Sequence, residues 1–285
     1  MSVLNNKIDF AVVVSVRNAN PNGDPLNGNR PRENYDGFGE ISDVCIKRKI
    51  RNRLQDMNQE IFVQSDEKRN DGFRSLKDRA DGCQELKKLI KDKEQYATYA
   101  CSKWIDVRSF GQVFAFKAGE DNSVSIGIRG PVSIHSAVSV SPIEISSMQI
   151  TKSVNGETGK DPDKKSPDTM GMKHRVDFGV YVIYGSINTQ LAKKTGFSYE
   201  DAGLIKKALE TLFENDCSSA RPDGSMEVCK LYWWKHSSEI GQYPSAKVHR
   251  SLKVNPIVDF PKKIEDYCVS YDKLEGLELE VYDGI

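Results

Sequence analysis

The residues best suited to chemistry are cations. Between Val44 and Leu54 the chain carries five basic residues and no acidic one: Lys47, Arg48, Lys49, Arg51 and Arg53. On a helix, Lys47 and Arg51 share one face, Lys49 and Arg53 another, and Arg48 lies towards a flank. Like charges four residues apart repel by about 0.2–0.5 kcal/mol per pair. Such crowding asks for anions, either carboxylates of the same chain or the phosphates of a nucleic acid, whose neutralisation releases counterions. Upstream lie Asn18, Asn20, Asn22 and Asn27 with Gly23 and Gly28. They can build nests of amide and backbone N–H groups or ordinary turns. Arg17 stands immediately before them. Asp24 and Asp36, in the same stretch, are the carboxylates to consider for acid or metal chemistry. Neither has an adjacent His or a second carboxylate at useful spacing, so turn chemistry is the expected role.

Other chemistries lack their spacings. His135, His174, His236 and His249 form no H-E-x-x-H or H-x-H pattern, so a metal site would need a tertiary coincidence and none is expected. The six cysteines include no C-x-x-C pair, which points to reduced packing thiols. No phosphate-binding G-x-x-x-x-G-K-[ST] or G-x-G-x-x-G occurs. Gly127, Gly130 and Pro131 in GIRGPV read as a bend. Trp233 and Trp234 are adjacent on a strand pattern and face opposite sides, which offers one to a surface and the other to a core. Met170 and Met172 are open to either packing or wedging.

The chain has 285 residues with 38% hydrophobic and 29% charged residues, 41 basic against 41 acidic. This composition excludes a disordered chain and a strongly basic nucleic-acid binder. The charge is uneven, since Ile264 to Ile285 holds seven acidic residues and one basic. No run approaches the roughly 20 apolar residues of a membrane span, and the first residues lack a signal-peptide pattern. A soluble, cytoplasmic protein is expected.

Elements must position these groups. Ile8 to Val16 is rich in β-branched and aromatic residues, too apolar for a one-sided surface strand, and reads as a buried central strand. A turn-rich segment follows to about Gly39. Ser42 is a good N-cap for an amphipathic helix burying Ile46, Ile50 and Leu54. Gln64 to Ala100 is charged and reads as a peripheral helical insertion with little that demands burial. Strand patterns return at Val113–Phe116, Val124–Ile128 and, as one long ribbon, Pro131–Ile150. Thr151 to Arg175 is a polar excursion between that ribbon and HRVDFGVYVIYGSI. Ser198–Glu214 is a second helix, and Met226–His236 and Asp266–Tyr271 are later strands. The order strand, helix, strands, strand, helix, strand fits an α+β chain of the ferredoxin-like or RRM-like βαββαβ type.

Several of these segments together carry a family resemblance: NANPNGDP after the first strand, SDVCIKRKIRN, WIDVRSFGQVF, GIRGPVSI, SSMQITKSVN, MGMKHRVDFGVYVIYGSIN and YPSAKVHRSLKV. The chain resembles the CRISPR-associated backbone subunit of Cascade-type surveillance complexes, the Cas-seven family of the RAMP superfamily, in its type I-C (Csd-type) branch. The resemblance covers nearly the full chain and is weakest from Ser65 to Ala100. It implies an RRM-like palm from residues 1–63 and 104–285, a helical finger insertion at 64–103 and a β-hairpin thumb at 147–175. It further implies copies polymerised along one CRISPR RNA, each gripping the phosphate backbone, while thumbs displace a base at intervals and the exposed guide pairs with target DNA. Further copies of this chain, a Cas-five type subunit and a large subunit are the implied partners, with no cofactor and no membrane. Carried over by motif, Lys47, Lys49, Arg51 and Arg53 would contact phosphates, with Arg17, Asn20 and Asn22 beside them. Arg108, Gln149, Lys152, Lys173 and His174 are second-rank RNA contacts. The type I subunit is non-catalytic; the alternative is a metal-dependent ribonuclease of the type III kind using Asp24 or Asp36. An RRM-type messenger RNA binder is disfavoured because its aromatic signature is missing.

Overall fold

Strand β1 (Ile8–Ala19) is buried without interruption from Ile8 to Val16, because its sheet is covered on both faces. The computed structural model describes residues 2–116, 124–154 and 170–284. β1 continues past Val16 because β10 (Met170–Ile187) accompanies it as far as the Ala19–Val176 pair. The segment after β1 is more regular than its composition suggests. β2 (Gly23–Asp24) and β3 (Arg30–Pro31) form a small hairpin, and β4 (Phe38–Ile41) joins the main sheet. Helix α1 (Asp43–Asp56) follows, with Ser42 Oγ accepting from Cys45 N–H at 3.3 Å and Ile46, Ile50 and Leu54 buried.

Next come α2 (Leu76–Gly82), α3 (Gln84–Leu89), α4 (Lys93–Lys103) and α5 (Ile105–Phe110), then the hairpin β5 (Gly111–Phe116) and β6 (Val124–Arg129). The junction of α5 with β5 needs two glycines: Gly111 has φ +81°, and a Cβ on Gly130 would lie 2.3 Å from Ser109 O. The ribbon expected at 131–150 is divided into β7 (Val132–Ile134), β8 (Ala137–Pro142) and β9 (Ile145–Thr151), all three pairing with different stretches of β10. α6 (Thr189–Thr195) and α7 (Tyr199–Glu210) lead to β11 (Met226–Lys235). α7 begins at the expected Ser198 cap, which forms a capping box with Asp201, but stops four residues short of Glu214. α8 (Ser245–Ser251), β12 (Leu252–Pro256), β13 (Tyr267–Tyr271) and β14 (Glu278–Asp283) complete the chain.

The main sheet runs β14–β11–β1–β10–β8–β4, and the pairings among these strands are antiparallel. β13 pairs with β12 in a separate small sheet, and the strand that extends the main sheet is β14. One sheet face packs on α1 and α7 through Ile46, Ile50, Ile205 and Leu209. The other is covered by Val248, Leu252, Tyr267 and Leu277. Trp233 therefore enters the first core, stacked on Phe10 at 5.6 Å, and Trp234 the second. Neither tryptophan is left at a surface, since a strand covered on both sides buries both of two successive side chains.

The charged insertion also has a core. Phe62, Tyr96, Trp104 and Phe114 are in ring contact, with Phe62 lying 4.7 Å from Trp104 and 5.0 Å from Phe114. Leu86, Ala100 and Cys101 pack with them. Its average polarity hid these few apolar positions. Among the described residues no helix is long and apolar enough to cross a membrane.

Candidate nucleic-acid interface

All five α1 cations find partners within the chain. Lys47 Nζ meets Asp43 Oδ2 one turn back at 2.9 Å, and Arg48 Nη1 donates to Val63 O at 2.6 Å. Lys49 is buried on Asp216 and 5.5 Å from the Phe213 ring. Burial pushes its pKa down and the Asp216 charge acts in the opposite direction. Arg51 Nε donates to Asp106 Oδ2 at 3.0 Å with its guanidinium 5.0 Å from the centre of the Phe110 ring. Arg53 Nε donates to Thr211 Oγ1 at 2.6 Å and its guanidinium pairs with Glu214. A phosphate reaching Lys47, Lys49, Arg51 or Arg53 must therefore compete with a carboxylate already in place. These carboxylates come from 43, 106, 214 and 216. The acidic C-terminal stretch is spent elsewhere, Glu280 on Lys206 and Lys235, Asp283 on Lys230, and Asp272 on Lys253.

The end of β1 differs. Arg17 is exposed, its N–H donates to Ser225 O at 2.8 Å, and its guanidinium has no hydrogen-bond or ion-pair partner among the described residues. Asn20 is buried, donates from Nδ2 to Asn29 O at 2.6 Å and leaves Oδ1 unpartnered. Asn22 Oδ1 accepts from Ser42 N–H at 2.9 Å and from Ser42 Oγ–H at 2.8 Å, which ties the loop to the N-terminus of α1. Both asparagines thus shape the loop. The loop in turn reaches the root of the β9–β10 hairpin, where Arg30 Nη1 donates to Ser147 Oγ at 2.9 Å and Ser147 Oγ lies 2.8 Å from His174 Nδ1. Lys173 sits beside His174, opposite Met148, and Gln149 pairs with Met172 across the hairpin. Met170 and Met172 are both exposed there. Lys152 is exposed just beyond β9. Residues 155–169, placed in the thumb by the sequence reading, lie outside the described residues.

Sequence reasoning passed over Arg30, Arg32 and Arg175, which stand at this same end of the sheet. Arg32 lies 3.4 Å from Asp24, and the Nε atoms of Arg32 and Arg175 are buried with no hydrogen-bond partner among the described residues, Arg175 Nε lying 3.8 Å from Asp177 Oδ1. The signal available was two arginines flanking Pro31 in an Asn-rich loop. Arg108 belongs elsewhere: its guanidinium forks onto Asp201 at 2.9 and 2.7 Å, clamping α5 to the first turn of α7. Asp24 caps a short turn by accepting from Leu26 N–H at 3.2 Å, and Asp36 is exposed in the turn shaped by Asn34.

At the opposite end of β1, three of the four histidines do converge. Asp9, fully buried, accepts from His236 Nε2 at 2.8 Å and lies 3.1 Å from Lys7 Nζ. His249 Nε2 donates to Gly185 O at 3.0 Å, lies 4.0 Å from Asp9 Oδ1 and packs edge-on against His135. Among the described residues no group of three or more His, Cys, Asp or Glu is placed to hold a metal ion. Burial pushes His249 below its ordinary 6.5, so the folded state favours the neutral ring. Burial alone would raise Asp9, but hydrogen bonds from His236 and Ser245 and the Lys7 charge outweigh it and hold the carboxyl below 3.8. The stability due to His249 is complete above its unfolded pKa of 6.5 and is lost as pH falls below it; that due to Asp9 is lost below 3.8. The urea midpoint should therefore drop between about pH 7.5 and 5.5, and His249→Gln should flatten that step. A wild-type midpoint that does not move over this window would contradict the assignment.

The fold and its polar edge define a class first: an α/β protein on a large antiparallel sheet, with arginines and a lysine gathered where β1, the β2–β3 hairpin and the β9–β10 hairpin meet. The family model of CRISPR-associated protein Cas7 matches residues 6–272, and the chain belongs to that family. The Cas7 protein of Haloferax volcanii is 28% identical over 234 residues, which is 75% of this chain and 66% of that relative, so the match spans just under two thirds of the relative's length. A chain of a CRISPR RNA-guided surveillance complex, pre-nicking, is similar with a TM-score of 0.48 and 16% identity, covering 80% of this chain and 75% of that one. A chain of another CRISPR RNA-guided surveillance complex gives a TM-score of 0.41 at 13% identity, covering 80% of this chain and 68% of that one.

Proposed function

We propose that this chain is the non-catalytic backbone subunit of a type I-C CRISPR RNA-guided surveillance complex, several copies of which polymerise along the CRISPR RNA. The observation that carries this reading is the family match over residues 6–272. The order β11–β1–β10–β8, with α1 and α7 against one face, supports a ferredoxin-like palm. β9 and β10 would form the base of the thumb, and α2 to α4 the finger. In such an assembly the subunit reads backbone shape and phosphate, while guide pairing reads the target DNA. Zero net charge suits a chain that stacks head to tail on itself, an open heterologous arrangement ended by other subunits.

The RNA path we favour crosses the end of β1 and the root of the β9–β10 hairpin. Arg17 and Lys173 have no ion-pair partner among the described residues, so phosphates there displace nothing. The α1 cations would join only by exchanging their carboxylates. Co-expression with a guide RNA and its neighbouring subunits, read by native mass spectrometry, tests the path. Wild type should form an RNA-containing multimer. The double variant Arg17→Glu, Lys173→Glu should fold, by circular dichroism, and lose RNA and multimer together. If it retains both, the path lies elsewhere. The turn-capping geometry of Asp24 supports a structural rather than a catalytic carboxylate. Metal-dependent RNA cleavage by wild type that disappears in Asp24→Ala or Asp36→Ala would establish the ribonuclease alternative instead.

A further inference from the structure

Beside Arg17, on the sheet face away from α1 and α7, a pocket of about 500 Å³ is lined by Arg17, Glu144, Phe178, Asp259, Phe260 and Lys262 among others. Arg17 and Phe178 are direct cross-strand partners on β1 and β10. Their side chains therefore leave the same face side by side. Phe260 comes from the loop joining β12 to β13 and is 79% exposed. The loop is anchored: Asp266 Oδ2 accepts from Lys262 N–H at 2.8 Å and Lys263 N–H at 3.2 Å, and Ile257 N–H donates to Asp266 O at 2.9 Å. An anchored loop thus holds an aromatic ring in solvent beside a cation that has no ion-pair partner among the described residues.

We propose that this pocket receives a nucleobase of single-stranded RNA, stacked on Phe260, with the adjoining phosphate on Arg17. The proposal rests on the RNA-binding reading above and adds a base subsite to it. A π-face and a cation that both lack partners among the described residues are satisfied together by one nucleotide, which carries a flat ring and a phosphate. Three carboxylates decide which part goes inside: Asp177, which accepts from Ser146 Oγ–H at 2.7 Å, and Glu144 and Asp259, whose side chains have no partner among the described residues. All three repel a phosphate from the interior, and Glu144 and Asp259 can accept from ring N–H and amino groups on a base edge. The phosphate then stays at the rim, with Arg17 and Lys262.

The test titrates the full chain with a single-stranded oligoribonucleotide of about 20 nucleotides, carrying a terminal fluorophore and internal 2-aminopurine. Anisotropy reports total binding, and loss of 2-aminopurine emission reports stacking. Wild type should bind with quenching. Phe260→Ala should weaken binding about tenfold and abolish the quenching, while Phe260→Trp keeps both. Truncating so exposed a ring leaves the core intact, so loss of binding does not report unfolding. Wild-type affinity and quenching in Phe260→Ala would overturn the base subsite while leaving RNA binding standing. No anisotropy change with wild type would overturn the RNA reading and the subsite with it. Unchanged RNA affinity with lost self-association would make Phe260 a protein contact and refute the proposal.

Discussion

Asp106→Ala should lower the unfolding free energy by about 3–5 kcal/mol. Asp106 is fully buried at the start of α5. Its Oδ1 accepts from Phe62 N–H at 2.8 Å, and its Oδ2 from Val63 N–H and Arg51 Nε–H, both at 3.0 Å. One carboxylate thus joins α1, the chain entering the insertion, and α5. Alanine leaves two backbone donors and a largely buried guanidinium without acceptors, and a group stranded in this way costs its full desolvation. Asp106→Asn keeps an acceptor for one of the amides and should cost less. The measurement is urea unfolding, read as a shift in midpoint at constant slope. A change below about 1 kcal/mol, the scale of an exposed pair, would show that the network is solvated. The result also bears on α1: because Arg51 is half of this network, an RNA defect in an α1 variant is informative only once its stability is known.

Arg108→Ala is the second large effect, again about 3–5 kcal/mol. The guanidinium makes two bonds to Asp201 and a third, from Nη1, to Cys101 O at 3.0 Å. Asp201 is 2% exposed and also accepts from Ser198 N–H at 2.9 Å in the α7 capping box. Removing the arginine leaves a buried carboxylate and loosens the start of α7. Lysine cannot reproduce the fork, so Arg108→Lys should recover only part of the loss. Variant protein that remains folded should bind guide RNA as wild type does. A selective loss of RNA at wild-type stability would instead make Arg108 an RNA contact, the role that the family resemblance suggests for it.

Much of the frame was legible because it follows from local rules. The predominance of β-branched and aromatic residues on both faces of β1 announced a strand covered on both faces. Ser42 and Ser198 announced the starts of two helices, and the 3.6-residue spacing of Ile46, Ile50 and Leu54 announced which side of α1 is buried. Edges were harder. β4 was hidden in a turn-rich composition, and β14 in an acidic stretch whose carboxylates are paired with lysines of α7 and β11. Edge strands need partners more than propensity, and a partner is a tertiary fact.

The candidate interface divides the same way. That cations crowd one helix and that an Asn-rich loop follows the central strand was readable residue by residue, since residue type and helical period are local properties. Which of those charges are already satisfied depends on how distant segments pack together. That packing brought Asp106, Glu214 and Asp216 to α1, left Arg17 and Lys173 without carboxylates among the described residues, and set Arg30 on the hairpin root. The reason is that Coulomb interaction falls with distance in space, whereas separation along the chain does not enter it.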